Sequence, residues 1–533
     1  MKRVFPIILQ LGIAVGLLTV TGCKTDIGLG EDPYAGGKAP LGVTFENLNR
    51  PLPSARPNDV VLLSVRGLKD KEARLEVFVN EEVTQVVAVS DSTLEIRLPQ
   101  QVSSGAVKVK IDEQIFFGPK VTVEGKASFD ADYGIKNGFT GSVMEILNVS
   151  GNTWVVGNFT DFEYEAAPKV FRNGIHIISS TGNSVTDTTI NKIRWGAVGG
   201  LSSITRLPDG RFVVGGTMVS YDKRQVFGLT RLLYRGDLDT VKVELINTTP
   251  EKPQNALDTL PAFNANLYGP VVKVFATPDT GVIAVGNFSM HSFMNYEYSS
   301  RETRTYTFTR VNNLVKIRAN GRVDSSFSYQ NLGSNGFIND AIQLNDGRIV
   351  VIGSFTTFNG TSANRIVAFN TDGSISTAFA ANIGQGANDE IVSMTYNKTL
   401  NKIALAGRFT SFNGQADKYG VVILNGDGSV DNFKLGDVHG KIPNFAYIMN
   451  NGKVLVTGDF VKYNGVHRSQ LLILEADGNA LQEYNNIGAF AGWINTVVET
   501  TSSMGYPALL IGGSISMADG RKVGNIFKLE IRN

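Results

Sequence analysis

Residues 348–360 read RIVVIGSFTTFNG: an aliphatic and β-branched run, a glycine at 353, then an alternating segment ending on Asn359-Gly360. The same form returns as KIALAGRFTSFNG (402–414) and KVLVTGDFVKYNG (453–465). Looser copies are TWVVGNFTDF around Gly157, RFVVGGTMVSY around Gly215, GVIAVGNFSMHSF around Gly286 and ALLIGGSISMADG around Gly512, seven in all. Each reads as a buried strand with a bulge or a close backbone approach at its glycine. The key glycines, at 157, 215, 286, 353, 407, 458 and 512, recur at roughly 50 to 70 residues, the repeat range of a β-propeller blade.

A chain of 533 residues with 42% hydrophobic content has room for two domains. Fifty Lys and Arg against 49 Asp and Glu leave a formal charge of +1, so nothing asks for nucleic acid as a partner. The single cysteine, Cys23, excludes an intrachain disulfide and a cysteine metal cluster.

Met1 to Gly22 carries Lys2 and Arg3, a mostly apolar run from Val4 to Val20, and then small residues before Cys23, the pattern of a secretory signal. Val20-Thr21-Gly22-Cys23 resembles the lipobox of bacterial lipoproteins. That resemblance implies that 1–22 is cleaved and that Cys23 is acylated as the first mature residue. Residues 23–40 then read as a flexible tether. The charges at Lys24, Asp26, Glu31 and Asp32 resemble the signal that sends Bacteroidota lipoproteins to the outer face of the outer membrane.

From 41 to 125, short alternating segments (DVVLLSVRGL, ARLEVFVN, TLEIRLP, GAVKVKID, PKVTVEG) describe a small β-sandwich. With Gly67, Val77 to Asn80, Ser90 to Thr93 and Gly105, the stretch resembles an immunoglobulin-like IPT/TIG domain. The ring occupies 126–533. In its clearest repeat, 336–347 is the inner strand, 348–360 the second, 364–373 the third and Ser374 to Phe379 the outer strand, with Asp346-Gly347 and Asp372-Gly373 as two-residue hairpin turns. The last repeat stops at its third strand. Lys126 to Leu147 aligns with 324–345, so 127–130 is expected to supply the missing outer strand and close the ring. The fold expected is all-β: an Ig-like sandwich followed by a seven-bladed β-propeller.

GSFTTFNG, NTDGSISTAF and GDGSVDNF resemble the delta-sixty repeat of bacterial secreted proteins. With the IPT/TIG-like domain and the lipobox, the chain is similar to Bacteroidota surface lipoproteins associated with SusC/SusD-like nutrient uptake.

The four histidines (176, 291, 439, 467) lack ligand spacing, and neither a nucleophile elbow nor a phosphate-binding loop is present. No metal, cofactor or catalytic residue is expected. Aromatic residues are the better lead, because the apolar faces of sugar rings desolvate against them. Trp154 sits in a strand and reads as core. Trp195 lies in a loop before an inner strand, on the face carrying the variable loops, and reads as core or contact residue in equal measure. Trp493 aligns with Phe337 and Phe139 at the start of an inner strand, where packing between blades competes with ligand contact. Residues 287–312 form the longest excursion, a hairpin bearing Phe293, Tyr296, Tyr298, Tyr306 and Phe308, which either packs back on the ring, stacks on ligand or docks a protein.

The function expected is a non-catalytic, lipid-anchored surface protein of the outer membrane that captures a nutrient, a glycan by preference. The alternatives are a docking subunit of a TonB-dependent SusC/SusD-like transporter with another cargo such as peptides, and a glycan hydrolase.

Overall fold

The computed structural model describes residues 40–46, 48, 52–165, 172–328, 331–468 and 470–532. The expected signal peptide at 1–22, Cys23 and nearly all of the tether lie outside the described residues. Strands dominate the rest, with one α-helix, Thr377–Ile383, among the described residues.

The first unit is a seven-stranded antiparallel sheet spanning 44–121. Its alternation is plain in Val60–Arg66, where Val61, Leu63 and Val65 are buried and their neighbours exposed. The sheet curls over this apolar face, bringing Phe45 of the first edge strand against Gly118 of the last. Leu63, Val79, Leu94, Ile96 and Val109 fill the interior, each contributing about 1.5–3 kcal/mol by burial.

Beyond it, among the described residues, seven antiparallel sheets follow in sequence as the main repeats, with four smaller sheets inserted between their strands. Their first strands are Val143–Val149, Leu201–Arg206, Val271–Ala276, Ile338–Gln343, Ile391–Asn397, Val438–Ile448 and Ala491–Thr501. Each first strand packs beside the next, and the seventh packs beside the first, so the sheets form a closed circuit around an axis. The last strand, Ile526–Ile531, pairs with Ala127–Phe129 in the register Leu529 with Phe129 and Ile531 with Ala127.

One irregularity is repeated in all seven sheets. Pairing between the first and second strands skips one residue of the first strand: Met144, Ser202, Val272, Asn339, Val392, Asn444 and Asn495. This is a β-bulge, and a glycine stands against each one. The bulge drives a partner backbone over that glycine, so a Cβ on Gly353 would stand 1.9 Å from the Phe337 carbonyl oxygen and one on Gly157 2.0 Å from that of Ser142. In the second and seventh sheets the glycine so covered is Gly216 or Gly513, one residue past the expected 215 and 512. Gly215 and Gly512 are small for another reason: side chains of the next sheet, Val271 and Val143, press on them.

Two details of the repeat differ from expectation. The outer strand expected at Ser374 to Phe379 is a single bridge, Phe369 with Ile375, followed by the helix Thr377–Ile383. Ala378, Ala380 and Ala381 favour helix, and Phe379 and Ile383 bury one helical face. The Asp-Gly turns are wider than two residues. Gly347 alone has positive φ, Leu344 and Arg348 are joined by a backbone hydrogen bond, and Asp346 caps the Arg348 amide at 3.1 Å. The turn at Asn359-Gly360 does use two left-handed residues and buries Phe358 beneath it.

The two units meet through a buried polar seam. The Ser103 and Ser104 hydroxyls donate to the carbonyls of Asn485 (2.7 Å) and Asn486 (2.8 Å), and the Asn486 amide donates to those of Val123 and Ala127. Arg468 Nη1 donates to the Ser103 hydroxyl at 3.4 Å, and Glu82 meets the His467 ring at 3.0 Å. Such bonds are costly to leave unmade, so the units are held in a fixed mutual orientation.

Candidate binding face

The second strand of each sheet ends beside the start of the first, so the excursions after the repeated glycines share a face with the bulges. The longest follows Gly286. Met290–Met294 pairs with Tyr306–Arg310 on one side and with Asn266–Tyr268 on the other, giving a small three-stranded sheet that overlies the ring.

Its two faces differ. Leu267 and His291 are buried beneath it, each 1% exposed, and pack it onto the ring. The opposite face carries Tyr268, Ser292, Tyr306 and Phe308, as the register of opposing residues dictates. Phe227, Tyr268, Phe308 and Tyr306 form a ribbon with successive ring centroids 5.5, 6.1 and 6.2 Å apart. Phe308 is 58% exposed and Tyr268 is 36% exposed. Ser292 Oγ, buried beneath the rings, lies 3.2 Å from the Tyr268 hydroxyl.

The end of the ribbon at Tyr306 opens into a cavity of about 270 Å³ that also touches Asp258, Asn264, Tyr296 and Met294. Lys223, Arg224 and Arg304 line it against one carboxylate, Asp258. Arg304 Nη2 donates to Asp258 Oδ2 at 2.5 Å. Burial would raise the Asp258 pKa, but Arg304, the Thr259 amide and Arg301 outweigh it and hold the group below the usual carboxylate range. Arg304 Nη1 is sealed from solvent and has no protein acceptor. The cavity thus offers a guanidinium donor and a surplus of positive charge next to flat apolar surfaces.

The residues singled out from sequence are distributed unevenly over this region. Tyr296, in the turn Tyr296–Tyr298, lines the cavity, and burial raises its phenol pKa. Tyr298 is 68% exposed and is not among the lining residues. Phe293 points to the ring side, where the Arg322 guanidinium lies 4.0 Å from its centroid. Trp195 is half-buried, its backbone amide donating to Asp222 Oδ1 at 3.0 Å; it does not line the cavity, and the lining residue Lys223 lies against its ring. Trp493 is elsewhere, 53% exposed at the mouth of the central channel. Burial, as packing between blades would require of Trp493 and its aligned counterparts, is found for Phe139 (2% exposed) but not for Trp493 or Phe337 (72%). These two precede their bulges at the open end of the strand, where no neighbouring sheet covers them. Tyr268, Phe227 and Arg304 were missed, because only the pairing of Asn266–Tyr268 with the hairpin brings them together.

Among the described residues no group of histidine, cysteine and carboxylate side chains is arranged to hold a metal ion.

Residues 19–119 match a family model described as "Domain of unknown function (DUF5008)", and residues 344–379 and 450–480 match "Domain of unknown function (DUF5122) beta-propeller". A comparison with the curated proteins finds no match. Among solved structures, an auxiliary nutrient binding protein from Bacteroides ovatus ATCC 8483 aligns at 11% identity over 69% of this chain and 94% of its own, with a TM-score of 0.21. Another from Bacteroides thetaiotaomicron VPI-5482 aligns at 10% identity over 77% and 96%, with a TM-score of 0.26. A protein of unknown function from Bacteroides thetaiotaomicron VPI-5482 aligns at 11% identity over 90% and 98%, with a TM-score of 0.27. These TM-scores are too low for the likenesses to carry an argument.

Proposed function

We propose that this chain is a non-catalytic, lipid-anchored surface protein of the outer membrane, an Ig-like module joined to a seven-bladed β-propeller, that captures a glycan for uptake. The observation that carries this reading is the ribbon from Phe227 to Tyr306, two of whose rings are open to solvent, ending in a polar cavity. Aromatic faces desolvate the apolar side of sugar rings, and neighbouring polar groups read their hydroxyls. Three cations against one carboxylate favour sugars bearing carboxylates, with Arg304 Nη1 as the donor. The test is affinity electrophoresis of the chain from Lys24 onward against polygalacturonate, alginate, starch and dextran, with Phe308→Ala and Tyr268→Ala alongside. Retardation by the uronate polymers, reduced in both variants, is expected. If no polymer retards the protein, or the variants are retarded equally, the reading fails.

A second reading, docking on a TonB-dependent SusC/SusD-like transporter, is favoured by the first unit. Val83, Phe78, Lys108 and Phe117 lie in one row across four strands, with Val83 and Phe117 each 68% exposed. Isolated exposed apolar residues are ordinary, but an aligned row on one sheet face suits a protein partner.

A further inference from the structure

We infer that the mouth of the central channel is a second ligand site, shaped for a single neutral sugar ring. It shares no lining residue with the cavity beside the ribbon, and the inference does not depend on the reading given to that ribbon.

The site is a product of the repeated bulge. All seven bulged residues line one axial cavity of about 330 Å³, near the lower end of the range of small-molecule pockets, ~300–1,000 Å³. That size suits one sugar ring. Seven bulges could have presented any side chain, and three of them present asparagine: Asn339, Asn444 and Asn495. The amide nitrogen of Asn339 is spent on Glu390 and on the Ile391 carbonyl, and that of Asn495 on the Val143 carbonyl, each bond tying one sheet to the next. Their two Oδ1 atoms receive no donor from the described protein. One layer down, the Ser393 hydroxyl lines the same cavity, sealed from bulk solvent and without a hydrogen-bond partner. Carboxamides and hydroxyls that both donate and accept are the groups that read sugar hydroxyls. Trp493, half-exposed at the rim, offers the apolar face.

The floor decides the charge of the ligand. Lys273 donates to Glu145 Oε1 at 3.0 Å, Glu145 Oε2 accepts the Ile204 amide at 2.8 Å, and Asp340 lies in the same layer, accepting the Ala341 amide at 2.8 Å. Lys273, Asp340 and Asn495 also line a cavity of about 310 Å³ further along the axis, so this layer partitions the channel. Burial would lower the Lys273 pKa, but the attraction of Glu145 and Asp340 holds it above its ordinary range. The cation is therefore matched within the floor, and no unbalanced positive charge remains to draw a phosphate or a uronate.

The test uses the full chain in a detergent without a sugar headgroup and saturation-transfer NMR with glucose, galactose, mannose, rhamnose, N-acetylglucosamine and glucuronate. Transfer to at least one neutral sugar is expected, with affinity falling at least tenfold in Trp493→Ala and in Ser393→Val. Trp493 is exposed, so its loss leaves the fold intact, which the denaturation midpoint verifies. Three outcomes overturn the proposal: no neutral sugar receives transfer at millimolar concentration, only glucuronate does, or binding survives both channel variants. Loss of polysaccharide retention in Phe308→Ala concerns the ribbon alone, so the two readings fail separately.

Discussion

The ammonium of Lys223 rests 3.3 Å from the centroid of the Trp195 ring. One face of that indole is therefore occupied by a cation of the cavity wall, so on the reading proposed above Trp195 would act on a ligand by holding Lys223 in place. Cation–π contacts of this kind are worth about 0.5–2 kcal/mol. Trp195→Ala should weaken uronate binding by a few-fold, and Lys223→Ala by a similar factor. The double variant should lose no more than the larger single effect, as a double-mutant cycle by calorimetry would reveal; additive losses would mean that the indole touches ligand itself.

Tyr268 and Phe308 should behave otherwise. Both rings are open to solvent on the outer face of a strand pair. Truncating either to Ala should cost about tenfold in glycan affinity, the equivalent of about 1.4 kcal/mol, with a thermal midpoint within a degree or two of the parent. A large drop in midpoint would make the ribbon packing rather than platform.

The periodic features were legible in the chain. A glycine after an apolar, largely β-branched or aliphatic run, repeated seven times, declares a strand whose partner crowds it, and the bulges lie opposite those glycines or one residue past them. What failed was position within a doublet: Gly215-Gly216 and Gly512-Gly513 each offer two small residues, and only pairing tells which one meets the bulge. The ribbon was half visible for the same reason. Tyr306 and Phe308 alternate within one strand, whereas Tyr268 and Phe227 come from distant segments and join through register. The exposure of Trp493 was hidden because the aligned Phe139 is not its structural equivalent: Phe139 stands five residues before the bulge at Met144, whereas Phe337 and Trp493 stand two before Asn339 and Asn495.

The glycine argument can be tested by contrast. Gly353 has no room for a Cβ, while Gly360 and Gly452 have positive φ but nothing within 4 Å of the added atom. Gly353→Ala should cost roughly 2–4 kcal/mol by urea denaturation, because a carbonyl of the bulge must move. Gly360→Ala and Gly452→Ala should cost about 1 kcal/mol, the backbone penalty alone. Equal costs would remove the bulge as the reason for the repeated glycine.

Two buried histidines set an acid limit. Burial, reinforced by the charge of Arg172, lowers His176 to about 3, and burial lowers His291 to about 4 despite its bond to the Gly321 carbonyl. His291 Nε2 lies 2.9 Å from that oxygen while Nδ1 has no partner, as a neutral ring protonated at Nε2 requires. Both folded values lie below the unfolded value of about 6.5. The unfolded chain therefore binds these protons first, and their contribution to stability is complete above about pH 6.5 and is lost as pH falls towards 4, at about 1.4 kcal/mol per unit and group. Urea midpoints should drop across that interval in the parent and by about half as much in His291→Gln, since His176 remains, provided that variant folds at neutral pH. Parallel curves would place the acid sensitivity in the carboxylates.

The pairing of Ile531 with Ala127 joins residues some four hundred positions apart. A chain that emerges from its amino end can fold the small unit early, yet its ring stays an open arc, with an unpaired strand at each end, until Ile526 and the residues after it arrive. Bare edges of that kind recruit other chains or attract proteases. Closure is thus a test of completeness: a product that stops before Ile526 betrays itself by an exposed seam, and only a finished chain conceals both of its edges.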